Sequence, residues 1–194
     1  MSQILPLLAS GTLALVYLLF LTNAAPSTLR SVVKIGAVAL LAISALPVPL
    51  LALALGLSAL GDLALSRDGD RAFLAGVAAF ALAHLVSVAV FLGLGGAPAL
   101  AVKWQIGAGL GVATVSLVMA RLLWPRSGPL RWPVLGYVGI IAAMAISSLF
   151  VSEPNARPVI AAAFLFVLSD SLMATERFLI NVARRPAGYR LRSG

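Results

Sequence analysis

No cysteine occurs anywhere in the 194 residues, and histidine occurs once. The first absence excludes a disulfide framework and any thiolate metal site. The second argues against a zinc hydrolase built on several histidines. Charge is also scarce. Charged residues make up 10% of the chain, against 61% hydrophobic, and the mean hydropathy is +1.07. A soluble domain carries about a quarter charged residues and cannot hide this much apolar surface in one water-solvated core. The composition therefore predicts an all-α, polytopic transmembrane helical bundle. The net charge of +8 does not point to nucleic acid. The basic residues fall between and after the apolar runs, where they meet anionic lipid headgroups. A positive n-region and a small-residue cleavage site are both missing at the start, so residues 3–22 read as a retained span.

Seven apolar runs follow one another. They cover Gln3 to Leu21, Ser31 to Leu46, Leu50 to Ser66, Ala72 to Leu92, Val102 to Trp124, Val134 to Val151 and Val159 to Val182. The breaks between them carry turn chemistry: Pro26, Pro47 with Pro49, Gly69, Gly93 to Pro98, Pro125 to Pro133, and Pro154 with Pro158. Proline ends helices because it lacks a donor and disfavours helix just before itself. Spans two and three are short for a hydrocarbon core of ~30 Å. Residues 1–182 form a single transmembrane domain on this reading, and 183–194 a basic tail. Seven spans leave two lysine or arginine residues, Lys103 and Arg157, on one side and twelve on the other. The positive-inside rule then places the N-terminus outside and the C-terminus in the cytoplasm. Trp104 and Trp124 sit near the ends of span five as interfacial anchors.

Acidic residues are the rarest charged type, and four of the six lie in or beside loops or at helix ends: Asp68, Asp70, Glu153 and Glu176. The other two, Asp62 and Asp170, lie inside apolar runs. An ionisable group within a span is expensive and marks a functional site by default. Ser58, Asp62 and Ser66 are spaced i, i+4, i+8 and share a helix face, as do Gly76, Phe80 and His84 on the next span. Gly56 and Gly61 allow a neighbouring helix to approach Asp62 closely. Asp170 is flanked by Ser169 and Ser171. With Lys34 in the first turns of span two, these groups are expected to converge on one cavity in the cytoplasmic half. Two carboxylates there divide into a general acid and a general base.

Plainer readings stand beside these. Either aspartate can be structural glue across helices, His84 a packing residue, and Lys34 a lysine snorkelling to the interface. Gly107, Gly109 and Gly111 lack the strand a nucleotide-binding loop needs and read as helix-packing positions. The turn Asp68-Gly69-Asp70 is too short for a calcium site. A small proton-coupled lipid or solute transporter, or a structural membrane protein, is the alternative to an enzyme. No inverted repeat is evident to support the transporter.

Some of these residues resemble a known family. Gly61-Asp62 near the end of one span, Phe73-Leu74-Ala75-Gly76 with Phe80 and His84 in the next, Pro133-Val134 with Tyr137 and Met144, and Phe164 to Asp170 followed by Leu172 and Ala174 are similar to the motifs of the YhhN-like family, bacterial relatives of the lysoplasmalogenases. Lys34 matches a basic position at the start of that family's second span. The resemblance runs over roughly residues 30–180. It implies an integral-membrane hydrolase of the bacterial cytoplasmic membrane that cleaves the vinyl ether bond of a lysoplasmalogen-type lysophospholipid, releasing aldehyde and a glycerophospho-headgroup. It implies Asp62 and Asp170 as the catalytic pair, with Lys34, His84, Ser58, Ser169 and Tyr137 in supporting or substrate-binding roles. Membrane lipid, the lysophospholipid and water are the implied partners, and no metal or organic cofactor takes part. The deeper position of Asp170 favours it as the acid, although the residues alone leave the assignment open. Family members usually have eight spans, and no eighth is expected here.

Overall fold

The computed structural model describes residues 4–21, 27–67, 69–95, 102–152, 156–175 and 177–178. The predicted start at Gln3, the turn at 22–26, Asp68, part of the 93–98 loop, Glu153, Pro154, Glu176 and the tail 183–194 lie outside the described residues. Among the described residues there are seven α-helices and no sheet, apart from one isolated bridge between Gly95 and Val151. The chain divides into two compact units, Met1–Gly93 and Leu94–Gly194.

The first unit holds α1 (Ile4–Val16), which runs on into a π-helical turn Tyr17–Leu21, then α2 (Thr28–Ser44), α3 (Pro49–Leu65) and α4 (Asp70–Gly93). Each helix packs on its neighbour in sequence, as short connections dictate. Ser27 caps α2 by accepting a hydrogen bond from the Arg30 N–H, so this helix starts three residues before the apolar run. Pro49 occupies the first turn of α3, where its missing N–H is harmless. Gly69, at φ +101°, makes the turn into α4 that other residues rarely adopt. Arg30 donates from Nε to the Tyr17 hydroxyl at 3.3 Å and so ties the π-helical turn to α2.

The second unit holds α5 (Val102–Leu123), a single 3₁₀ turn Gly128–Leu130, α6 (Arg131–Ser148) and α7 (Ala156–Thr175). α5 packs on α6, and α6 on α7. α6 and α7 each start three residues earlier than predicted, at Arg131 and Ala156. The reason is the same in both: Pro133 and Pro158 fall at the third helical position, within the first turn, where no backbone N–H has an intrahelical partner. The prolines are part of the helices they were expected to precede. Gln105 donates to the Leu149 carbonyl at 2.8 Å, and Ser152 Oγ to the Leu94 carbonyl at 2.9 Å. These bonds fix the end of α6, which stops at Ser148 rather than running to Val151.

The surface is apolar where that of a water-soluble protein would be polar, and the core is apolar with a few buried polar side chains. Leu5, Phe20 and Trp104 are each more than 70% exposed, while His84 and Ser148 are almost fully covered. Large apolar side chains facing outward and polar ones facing inward suit a chain whose solvent is hydrocarbon. Among the described residues, five helical stretches are long and apolar enough to cross a membrane: Ile4–Leu21, Asp70–Gly93, Lys103–Leu123, Gly128–Ser148 and Ala156–Thr175. The two left out are those that read as short. α2 and α3 have 17 residues each. At 1.5 Å per residue they reach about 26 Å, less than the hydrocarbon thickness.

Candidate functional site

Asp62 sits near the C-terminal end of α3 and is buried. Lys34, a turn and a half into α2, reaches it: Nζ lies 2.6 Å from Oδ1. The carboxylate is covered while the lysine side chain is 44% exposed. Lys34 is therefore not merely a snorkelling lysine. Its stem crosses to α3, and its ammonium both neutralises a buried charge and keeps contact with the outside. A buried carboxylate without such a partner is costly, because desolvation penalises the charge.

The α3–α4 contact explains how Asp62 is held. A methyl placed on Gly61 would lie 2.5 Å from the Phe80 ring, and one on Gly76 would meet Leu65 at 2.6 Å and the Gly61 carbonyl at 3.2 Å. Both glycines are needed for the two helices to approach this closely. Phe80 thus presses on the backbone directly before Asp62. His84, one turn further along α4, is buried and lies over Phe80 with ring centroids 6.3 Å apart and planes inclined by 28°. The predicted face of Gly76, Phe80 and His84 is real, and it is the buried face of α4.

Other expectations for this region divide. Ser58 is buried a turn before Asp62, and its hydroxyl donates to the Ala54 carbonyl at 3.0 Å. Ser66 does not join them. α3 ends at Leu65, so Ser66 is the exposed C-cap, with its hydroxyl donating to the Leu63 carbonyl. Gly56 makes no close approach, since nothing lies within 4 Å of a side chain built there.

In the second unit Asp170 is buried on α7. Tyr137, on α6, donates its hydroxyl to Asp170 Oδ2 at 3.0 Å. The phenol comes from 33 positions away in sequence, and the packing of α6 on α7 brings it into place. Ser169 is exposed and Ser171 half-buried. Successive residues on a helix point about 100° apart, so the serines flanking Asp170 cannot share its face. Gly107 and Gly111 have nothing within 4 Å of an added side chain, and Gly109 meets only Leu149 at 4.0 Å. These three are not close-packing positions, contrary to expectation.

Each buried aspartate thus has a named partner within its own unit. Among the described residues every buried side-chain nitrogen or oxygen is hydrogen-bonded, which is what a low-dielectric surrounding demands. Among them, too, no group of three or more histidine, aspartate or glutamate side chains is placed to hold a metal ion. The Gly61–Phe80 clamp was legible in part, because a glycine directly before a buried aspartate is a close-approach signal. Lys34 and Asp62 were expected in one cavity, but no spacing rule in the sequence joins them as a pair.

The model of the YhhN family matches residues 29–190. No curated protein and no solved structure matches the chain significantly.

Proposed function

The chain belongs to the YhhN family, whose model covers most of its length, and on that premise we propose that it is a lysoplasmalogenase-like hydrolase. It cleaves the vinyl ether of a lysoplasmalogen-type lysophospholipid to a fatty aldehyde and a glycerophospho-headgroup. The observation that carries this reading is the contrast between the partners of its two buried aspartates, an ammonium for Asp62 and a phenol for Asp170. An ammonium partner favours the anion. The Tyr137 hydroxyl, donating to Oδ2, orients the Asp170 carboxyl without bringing a charge to it. One carboxyl is suited to hold charge and the other to exchange a proton, the division that general acid–base chemistry requires.

The steps follow. Asp170 gives its proton to the vinyl carbon remote from the ether oxygen. The π pair forms the new C–H bond, and positive charge is left shared between carbon and oxygen. The Asp62 carboxylate stabilises that oxocarbenium-like centre and takes a proton from the water that adds to it. The hemiacetal then collapses. Its hydroxyl loses a proton, the bond to the glycerol oxygen breaks, and that oxygen is protonated. One water is consumed, and the proton left on Asp62 returns by way of solvent to Asp170.

In this reading the protein is a multi-pass protein of a bacterial cytoplasmic membrane with its C-terminus inside. The absence of native cysteine makes the orientation easy to test. Arg67→Cys, in the exposed turn after α3, should react with a membrane-impermeant thiol reagent only from the cytoplasmic side.

The activity is tested by incubating purified protein with lysoplasmalogen in heavy water. The expected products are free glycerophospho-headgroup and an aldehyde with one deuterium on the carbon next to the carbonyl. Intact lipid moved across a vesicle membrane with no aldehyde would favour a transporter instead. Neither product nor transport would overturn the reading.

A further inference from the structure

The turn between α5 and α6 carries an arrangement that the proposed hydrolysis does not use. Arg121, Arg126 and Arg131 fall within eleven residues, with Trp124 between them and Trp132 directly after. The two indoles meet edge to face, with ring centroids 5.3 Å apart and planes at 90°. The Arg131 guanidinium lies over both, 5.2 Å from the Trp124 ring and 5.9 Å from the Trp132 ring. Arg126 is drawn back over α5 by a 2.8 Å bond from Nη1 to the Leu122 carbonyl. All three arginines and both indoles are exposed.

Two features set this cluster apart from an ordinary solvated turn. The sequence from Arg71 to Ser152 contains no aspartate or glutamate, so no carboxylate on this stretch neutralises it. The stacking also restrains Arg131. A guanidinium lying on aromatic faces keeps its edge donors available and cannot lose its charge. A planar donor fork held in place suits a phosphate, which it can grip with two hydrogen bonds. The paired indoles identify the source of that phosphate. Tryptophan prefers the headgroup level of a bilayer, so the cluster sits where lipid phosphates are.

We propose that the α5–α6 turn is a binding site for the phosphate of an anionic phospholipid, with Arg131 as its central ligand and Arg121 and Arg126 supplying further positive charge. The site belongs to the second unit alone and does not depend on the hydrolase reading.

The test uses the full chain in a neutral detergent with Trp104→Phe, which leaves Trp124 and Trp132 as the only fluorescent indoles. Short-chain phosphatidylglycerol should produce a saturable change in emission. Short-chain phosphatidylcholine should produce none. Affinity should fall as salt is raised from low to high concentration, as for any charge-driven contact. Arg131→Gln should weaken binding by about tenfold, and Arg131→Lys should recover only part of it, because lysine restores the charge but not the planar fork. Arg67→Gln, in a different exposed turn, should bind as the parent does. Equal titration by the two lipids, or unchanged affinity in Arg131→Gln, would overturn the proposal. A full response to inorganic phosphate at similar concentration would assign the site to a soluble anion and overturn the lipid assignment. Should Arg131→Gln lose its helical circular dichroism, the parent's salt dependence decides alone, and binding insensitive to salt would count against the site.

Discussion

Asp62 and Asp170 are the same residue on two apolar helices, yet their surroundings differ in kind. Asp62 faces a full positive charge that is itself half in contact with the outside. Asp170 faces a neutral phenol. The backbones that carry them differ as well. α3 and α4 are pressed together through Gly61 and Gly76, so closely that a methyl at either position would collide. On α6, by contrast, Gly136 and Gly139 have nothing within 4 Å of an added side chain. Asp62 is met by an opposite charge beside two tightly packed helices, and Asp170 by the hydroxyl of a phenol on the neighbouring helix. The two solutions leave the aspartates suited to different tasks.

The largest effects should come from removing either acid. Asp62→Asn and Asp170→Asn preserve shape but not proton chemistry, and each should lower the rate of aldehyde release by roughly 10²–10⁴-fold. Thermal unfolding in detergent should change much less, which separates chemistry from folding.

Next in size is the partner of Asp62. Lys34→Met leaves a buried carboxylate without its ammonium and should destabilise the first unit by on the order of 1–3 kcal/mol, the half-exposed position holding the loss below that of a fully buried pair. Lys34→Met with Asp62→Asn should be more stable than Lys34→Met alone, because the charge that lost its ammonium is gone. A double variant as unstable as the sum of the singles would mean that the contact carries no coupling.

The backbone half of the comparison is tested by methyl insertion. Gly61→Ala should destabilise by about 1–3 kcal/mol through overpacking against Phe80. Phe80→Leu should restore part of that loss by making room. Gly139→Ala adds the same methyl to an exposed position on α6, where it should be neutral or stabilise by about 0.5–1 kcal/mol, since alanine is the better helix former. Equal losses at positions 61 and 139 would erase the distinction between a close-packed and an open glycine.

The smallest effect concerns the phenol. Tyr137→Phe removes one hydrogen bond from Asp170 and should cost about 0.5–1.5 kcal/mol in stability. Its effect on turnover should be far below that of Asp170→Asn, because Tyr137 positions the acid and does not replace it.

Much of this was legible in the chain. Hydropathy gave seven helices because each apolar run ends at a proline, a glycine or a charged turn. The two aspartates stood out because intramembrane charge is rare. The helix starts at Arg131 and Ala156 were misplaced because proline was read as a barrier, although in the first turn it is compatible with helix. The partners were harder. Lys34 and Asp62 are 28 positions apart, and Tyr137 and Asp170 are 33 apart. No helical spacing rule links residues on different helices, so only the packing of α2 on α3 and of α6 on α7 reveals the pairs. Ser169 and Ser66 misled for a related reason. Adjacency to an aspartate, or a shared i+4 register, counts for nothing when the next residue turns outward or the helix has already ended.

The most direct measurement is the rate of aldehyde release from lysoplasmalogen by the parent chain, Asp62→Asn and Asp170→Asn, purified alike and matched for helical content. The account predicts turnover by the parent and its near-complete loss in both variants. Parent-like turnover in either variant would contradict it.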